Sequence, residues 1–573
     1  MKRFFPILDW LSNYGKSSFQ GDLIAGLTVG MMLIPQGMAY AMLAGLEPIY
    51  GLYASITPLI VYAIFGTSRQ LAVGPVAMVS LLVSASIASL GITEPSEYVA
   101  AALLLSFMIG AIQFLLGVIR AGFLVNFLSH PVISGFTSAA ALIIGLNQLK
   151  HLFGISIPKT HYVHQILIDT ARNLGEVNTY ALIIGVVAIA LIIALKKVNR
   201  SIPGPLVAVT LGITVVSAFQ LDTSGVKIVG TIPEGLPSFQ IPNLEWGLIE
   251  RLLPMAATIS LIAFMESIAV AKAIQKKHKD YQVDANQELI GLGLANIAGS
   301  FFQAFPSTGG FSRTAVNDQA GAKTGMAAII SAILIALSLL FLTPLFYYLP
   351  KTILASIIMV AVFGLIDIKE VKHLWRTDRH DLVLLLITFV ATLALGIENG
   401  ILLGVGLSIL LIILKTTRPH YAILGKLPTT GVYRNIKRFT DAEVDPEILV
   451  FRFDARIYFA NVQYFTDSIF EEIRRKGDAL KLIVIDTESI NDIDSSGMHA
   501  LVDLKSSLDD RNIQLYFTSV KGPVRDKMSQ AHFTETLGES HFRLRIQEAI
   551  DAYRESSVNG SVVIDENALQ HDD

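Results

Sequence analysis

The 573-residue sequence contains no cysteine. Disulfides and thiolate metal sites are therefore excluded, although carboxylate or histidine sites are not. Charge is scarce as well. Asp, Glu, Lys and Arg make up 16% of the residues, against about 25% in soluble domains. The formal net charge of −3 implies no basic surface, which argues against nucleic acid as a partner. No nucleophile–base–acid set or metal cluster stands out, so an enzyme, a cofactor or a bound metal is not expected. What fills the chain is apolar: 52% of residues are hydrophobic and the mean hydropathy is +0.56. Most of the chain belongs in lipid.

Hydrophobic runs of membrane length fall near 22–44, 47–65, 98–120, 178–196, 203–220, 253–273, 285–303, 323–342, 348–367, 380–396 and 398–415. The block 123–150 is long enough for two tilted segments. The stretch 1–20 is mixed and amphipathic, so the first hydrophobic run is expected to stay as a span rather than be cleaved.

Two stretches break the pattern. Ala72-Val73-Gly74-Pro75-Val76-Ala77-Met78-Val79-Ser80 and Phe305 to Asn317 put Pro and Gly inside or beside apolar sequence. Neither has enough apolar residues on both sides of its break for a full crossing. A short helix starting inside the membrane points its unpaired N–H groups and the positive end of its dipole into the protein. Irregular backbone at that depth survives only under protein or beside a watery cavity, and paired helix starts of this kind point to an anion carrier. With these two short helices the count is about fourteen elements. Two sets of seven, an odd number, would insert in opposite senses. Pro75 and Gly309-Gly310 then mark the third element of each half.

Charge placement fits this count with both termini in the cytoplasm. On that reading the cytoplasmic loops hold Arg69, Arg120, Lys196, Lys197, Arg200, Lys276, Lys277, Lys279, Lys323, Lys369, Lys372, Arg376, Arg379, Lys415 and Arg418. The opposite loops hold Glu47, Glu94, Glu97, Asp222, Glu234, Glu245 and Glu398. Lys150, Lys159 and Arg172 fall on the wrong side. From about Tyr433 the character changes. Strand-like runs at 448–453, 482–486 and 513–518 alternate with amphipathic helices near 463–476, 496–510 and 544–555. This is the pattern of a small α/β domain. The expected organisation is a cytosolic segment at 1–20, a membrane domain at 21–418, a linker at 419–434, a soluble domain at 435–556 and a disordered tail at 557–573.

Among candidate residues, Arg313 lies at a Gly-rich helix start in apolar surroundings. A charge at that depth costs several kcal/mol or more and reads first as functional; the alternative is a snorkelling or structurally paired side chain. Phe311 and Ser312 backbone N–H groups, the Ser312 hydroxyl and the Arg313 guanidinium would together replace an oxyanion's hydration. Glu266 is the acid centred in the span 253–273. Burial disfavours an ionised carboxyl and a nearby cation favours it, so opposite Arg313 it could couple a proton to anion movement, or form a permanent ion pair. Ser267 reads as helix packing. Gln36 and Tyr40 stand four residues apart on one helix face, just after Pro35, which suggests a local break. They would line the pocket or bond between helices. His130 and Asn147 read as packing residues. Asp494-Ser495-Ser496-Gly497 opens a helix as a plain cap, or exposes Ser495 and Ser496 as phosphate acceptors.

These residues resemble a known family. The run Pro306 to Asn317 resembles the signature of the SulP anion transporters, the sulfate permeases and their prestin-related solute-carrier kin. So do Ile34-Pro35-Gln36-Gly37-Met38-Ala39-Tyr40-Ala41, Pro48-Ile49-Tyr50-Gly51-Leu52-Tyr53 and Phe65-Gly66-Thr67-Ser68-Arg69. The cytosolic part resembles a STAS domain through Ile485-Asp486 and Asp494-Ser495-Ser496-Gly497. The resemblance runs from about residue 20 to 555.

The resemblance implies an α-helical polytopic membrane protein of fourteen transmembrane segments in a seven-plus-seven inverted repeat, UraA-like, with a core domain moving as an elevator against a gate domain. It also implies a homodimer in the cell membrane and a possible cytosolic partner for the STAS domain. The anion would sit between the third and tenth helices, against Gln36, Tyr40, Val76, Ala77, Phe311, Ser312 and Arg313. Glu266 matches an acidic position linked to ion coupling. Sodium-dependent bicarbonate relatives carry an Asp there with a Thr four residues on. Glu266 and Val270 stand here instead, which favours protons. Serine phosphorylation belongs to the anti-sigma-factor antagonists and is not carried over. The leading expectation is proton-coupled sulfate transport. Bicarbonate, chloride exchange or a dicarboxylate stay open, since such pockets differ by few contacts. Nucleobase carriers share the fold but normally lack a STAS domain. A channel or voltage-driven motor, and a STAS-led signalling protein, are the other classes.

Overall fold

The computed structural model describes residues 5–12, 14–92, 94–123, 129–157, 163–198 and 203–556. The expected disordered tail, 557–573, lies outside them, as does Lys159. The chain forms two compact units, Met1–Ser408 and Ile409–Asp573.

In the first unit and the helix that ends it, the described residues form fourteen membrane elements. They are α1 (Lys16–Leu43), α2 (Pro48–Tyr53 and Thr57–Phe65), α3 (Ala77–Ser89), α4 (Pro95–Val118), α5 (His130–Asn147), α6 (Thr179–Val198) and α7 (Gly204–Ala218). The second set is α8 (Trp246–Gln275), α9 (Ala285–Phe301), α10 (Phe311–Gln319), α11 (Met326–Phe341), α12 (Lys351–Phe363), α13 (Arg379–Leu395) and α14 (Ile397–Thr417). Among the described residues of the block 123–150 there is one membrane-length helix, α5, followed by the start of the short helix Leu149–Leu152, and not the two segments its length allowed. The first helix starts at Lys16, inside the stretch expected as a cytosolic segment. It also runs through Pro35 without a break, because a proline removes one hydrogen bond and a buried helix can carry on past it.

The inverted repeat is visible in the packing. Helix α1 packs along α11 and α8 along α4; α5 packs along α13 and α12 along α6. Shifting each member of one pair by seven elements gives the other pair. Between the halves, β1 (Val73–Gly74) pairs antiparallel with β2 (Thr308–Gly309), in the register Val73 to Gly309 and Gly74 to Thr308. A nine-residue α10 is only about 14 Å long, half the hydrocarbon thickness, so strand and helix together make the crossing.

Two motifs act through packing. Gly37 and Gly51 face each other where α1 crosses α2: a Cβ on Gly51 would stand 1.9 Å from the Gly37 carbonyl oxygen. Backbone cannot give way as a side-chain tip does. Gly51→Ala is expected to cost about 1–3 kcal/mol or more, read as a lower melting temperature in detergent; an unchanged melting point would contradict this packing. Phe65-Gly66-Thr67-Ser68-Arg69 is gripped by Glu288 in the first turn of α9. Its fully buried carboxylate accepts from Tyr62 Oη (2.7 Å), Thr67 N (2.7 Å), Thr67 Oγ1 (2.6 Å) and Ser68 N (3.1 Å).

Among the described residues, several segments near the loops assigned to the cytoplasmic side by their charge meet in pairs. Arg69 pairs with Asp280 at 2.7 Å and Lys277 with Asp318 at 3.0 Å. Asp22 accepts from Lys323 N and Thr324 N. His130 meets Glu370 at 3.3 Å, and Asn147 donates to the Ile143 carbonyl.

The second unit is built on a six-stranded sheet in the order β4-β3-β5-β6-β7-β8. These strands are β3 (Tyr421–Lys426), β4 (Tyr433–Asn435), β5 (Ile448–Phe453), β6 (Leu482–Asp486), β7 (Gln514–Thr518) and β8 (Phe542–Arg543). Strands β5 to β8 run parallel, while β3 is antiparallel to both neighbours. Half of the stretch 419–434, expected as a linker, is therefore sheet: Tyr421 pairs with Phe453 and Leu424 with Asn435. Helices α15 (Val462–Lys476) and α16 (Ser495–Asp509) cover one face, over Phe451, Phe453, Phe465, Ile483, Ile485 and Phe517. The helix at 546–556 covers the other, over Val450, Val484 and Tyr516.

Candidate functional site

The two short helices start beside each other and leave in opposite directions, because the strands that feed them are paired antiparallel. Val76 and Gly310, both in extended backbone, are the residues before the first turns. The Gly310 N–H donates to Ala72 O at 3.1 Å, and Thr314 Oγ1 accepts from Ala72 N at 3.0 Å. Asn317 Nδ2 donates to Gln70 O at 2.9 Å. The start of α10 is thus tied to the segment that leads into β1.

Arg313 lies in this junction and is 2% exposed. One nitrogen, Nη1, donates to the Pro75 carbonyl at 2.6 Å. Its Nε and Nη2 are buried without a protein partner. The guanidinium occupies the room left by glycine: a Cβ on Gly310 would stand 2.8 Å from Nη2 and 2.9 Å from Cζ. Gly74 is also close, with 3.5 Å from a built Cβ to Nη2.

Helix α8 fixes the depth of the second strand. Ser267 Oγ accepts from Gly309 N at 2.7 Å and lies 2.6 Å from Thr308 Oγ1, which donates to Ala263 O at 2.7 Å. Ser267 is therefore a positioning group, as its packing reading implied. Glu266 is the neighbouring residue, at the level of β2. One carboxylate oxygen, Oε2, is buried without a hydrogen bond. No ion pair between Glu266 and Arg313 occurs among the described residues, so the permanent-pair alternative is not what the structure holds. Arg313, Glu266 and Tyr40 are nonetheless near enough to act on one another's charge.

Helix α1 packs on both α3 and α10, and brings Gln36 and Tyr40, each buried, to the same place. Val76 and Ala77 are buried at the start of α3. Phe311 and Ser312 differ: both side chains are exposed, Phe311 by 64%. Asn296 went unremarked in the sequence. Its side chain accepts from Ser307 N at 2.8 Å and donates to Ser307 O at 3.0 Å, which shapes the approach to β2. An amide inside the apolar run 285–303 was the available signal. Ser80, one turn into α3, has a buried hydroxyl without a partner.

In the second unit Ser495 and Ser496 open α16, far in sequence from Arg313. Asp494 caps the helix, accepting from Gly497 N at 2.8 Å and Phe459 N at 2.9 Å. Ser495 is exposed. At the end of β6, burial pushes the Asp486 carboxyl above the ordinary carboxylate value, with Glu488 and Asp454 adding to the rise. An acid raised in the fold gives most stability below its unfolded value and loses it as pH climbs through the folded one. Asp486→Asn should therefore raise the melting temperature of this unit at pH 7 and flatten its decline above acid pH; no gain would contradict that environment.

The comparisons bear on family and fold. Residues 19–388 match the sulfate permease family and residues 440–549 match the STAS domain. The chain belongs to the sulfate permease family. It is 40% identical over 564 residues to a chloroplastic sulfate transporter, 4.1, of Arabidopsis thaliana, covering 95% of this chain and 82% of that one. It is 36% identical over 574 residues to high affinity sulfate transporter 2 of Stylosanthes hamata, covering 96% and 87%. Among solved structures, the murine anion transporter Slc26a9 in its inward-facing state superposes with a TM-score of 0.88 at 26% identity, over 96% of this chain and 94% of that one. The transmembrane domain of the cyanobacterial bicarbonate transporter BicA gives 0.60 at 23% identity, over 69% of this chain and 98% of that one, a likeness of fold. The protein is a membrane transporter of the anion class, with a C-terminal STAS domain.

Proposed function

We propose that this protein is a secondary active transporter of sulfate, coupled to protons and working by elevator-type alternating access. The observation that carries the reading is the Arg313 guanidinium, buried between two helix starts with two donors unpartnered. An unpaired buried donor costs about 1–3 kcal/mol, more when charged, and a small oxyanion accepting from both would offset that cost. In this reading the Val76–Ala77 and Phe311–Ser312 backbone amides and the Ser312 hydroxyl bind the oxyanion, Gln36 and Tyr40 close the pocket, and Glu266 carries the proton. The named sulfate transporters above support sulfate over other anions. The protein is assigned to the cell membrane as a homodimer, with both termini and the STAS unit in the cytoplasm. Ser495 and Ser496 take no step in transport.

The test is uptake of labelled sulfate into proteoliposomes, with and without a pH gradient, against competing bicarbonate, chloride and fumarate. Accumulation above equilibrium, driven by the gradient and competed best by unlabelled sulfate, supports the reading. Flux that never exceeds equilibrium points to a channel. No sulfate flux at all, with another anion moving, transfers the site to that anion.

A further inference from the structure

A cavity of about 1140 Å³ opens on the face that carries Glu47 and the start of α12. Its wall includes Met42 and Leu43 of α1 and Leu81 and Ser84 of α3. Tyr40 and Ala77 lie about one turn deeper on those same two helices, so the cavity leads toward Arg313. Its charged and titratable lining is unbalanced: Lys150, His151 and Lys351 against Glu47.

Three observations say this imbalance is not incidental. Lys150, in the short helix Leu149–Leu152, falls in the connection that charge placement assigns to the non-cytoplasmic side, where positive residues are disfavoured. No Asp or Glu occurs in the sequence between Glu97 and Asp169. Lys351 is the first residue of α12, where a cation opposes the helix dipole at a cost of about 0.3–1 kcal/mol. The backbone holds it there: Lys351 N donates to Lys227 O at 2.9 Å, and Thr352 Oγ1 donates to His151 O at 3.0 Å. That second bond joins the two basic segments across the mouth.

We infer that this cavity is an anion-collecting antechamber, in which Lys150 and Lys351 concentrate a small divalent oxyanion before it passes to the site at Arg313. The inference rests on the anion-carrier reading for its occupant, but the electrostatic claim stands by itself. A concave, low-dielectric mouth whose lining carries a net positive charge focuses the field and raises the local concentration of counter-ions. It sets the rate of arrival and the apparent affinity from that face, and leaves the occupied site unchanged.

The cysteine-free chain makes a direct test possible. Ala88→Cys places one thiol on the wall of the cavity, at an exposed position of α3. Its labelling rates by an anionic and a cationic methanethiosulfonate of similar size report the local potential. The anionic reagent is expected to be favoured at low ionic strength, and Lys150→Gln with Lys351→Gln to cut that preference about tenfold, within the range such fields produce. The effect should fade near 0.5 M salt, where screening is short-ranged (about 3–8 Å). Lys150→Arg with Lys351→Arg should restore it. In sulfate uptake the same Gln pair should raise KM from this face several-fold with the uptake Vmax held, and lower Vmax/KM for exit by the same factor, since both directions share one equilibrium constant. A labelling ratio that the Gln pair leaves unchanged, or a change that persists in high salt, overturns the antechamber. If the unsubstituted protein moves no sulfate, the carrier reading fails, while the labelling ratio still decides the electrostatic claim.

Discussion

Arg313→Ala is expected to abolish equilibrium binding of labelled sulfate at concentrations that saturate the unsubstituted protein. Each hydrogen bond from a charged donor is worth about 1.5–3 kcal/mol, and the guanidinium has two donors left for a ligand. Losing both weakens binding by at least about 100-fold, at roughly 1.4 kcal/mol per tenfold. The fold should survive, because the one side-chain bond that Arg313 makes among the described residues, to Pro75 O, is accompanied by the Ala72–Gly310, Ala72–Thr314 and Gln70–Asn317 bonds across the same junction. Arg313→Lys is a stricter probe: it keeps the charge but loses the fork, and should recover little of the affinity. Sulfate affinity unchanged in Arg313→Ala would refute the role given to the guanidinium.

Glu266→Gln should leave anion exchange intact while proton-driven accumulation fails. The sign follows from charge. An ionised Glu266 near Arg313 competes with a divalent anion for the same cation; a protonated one does not. Proton and anion therefore favour each other's binding, and by linkage the effect is reciprocal, typically 1–3 kcal/mol or about 5–150-fold. Acidifying the side where the anion loads should raise affinity in the unsubstituted protein. The Gln variant resembles the protonated form and should bind with the higher affinity at every pH. The open geometry, with no ion pair between the two residues, leaves the carboxyl free to exchange its proton. Accumulation that stays gradient-driven in Glu266→Gln would exclude it as the coupling group.

How much of this was legible in the sequence varied with the physics involved. The broken helices could be read directly, because Pro75 and Gly309-Gly310 have no place in an unbroken lipid span. Arg313 could be read because charge at that depth is costly. The pairing of β1 with β2 could be inferred only as symmetry, since two residues per strand carry no periodicity. Length alone misled at 123–150, where the described residues hold one membrane-length helix. Pro35 misled because a buried helix tolerates the missing hydrogen bond. Strand β3, Tyr-Ala-Ile-Leu-Gly-Lys, read as a linker since its partners, Phe451 to Phe453, lie some thirty residues on. Glu288 was invisible for another reason: an acid in a first helical turn is ordinary, and only the fold shows four donors converging on it.

The measurement closest to the centre of this account is anomalous diffraction from the protein crystallised with selenate, an oxyanion with sulfate's geometry. The account places a selenium peak between the backbone amides at the start of α3 and those at the start of α10, within hydrogen-bonding reach of Arg313 Nε and Nη2, and absent from Arg313→Ala crystals. A bound selenate found only elsewhere in the membrane unit, with the Arg313 junction empty under saturating conditions, would contradict it.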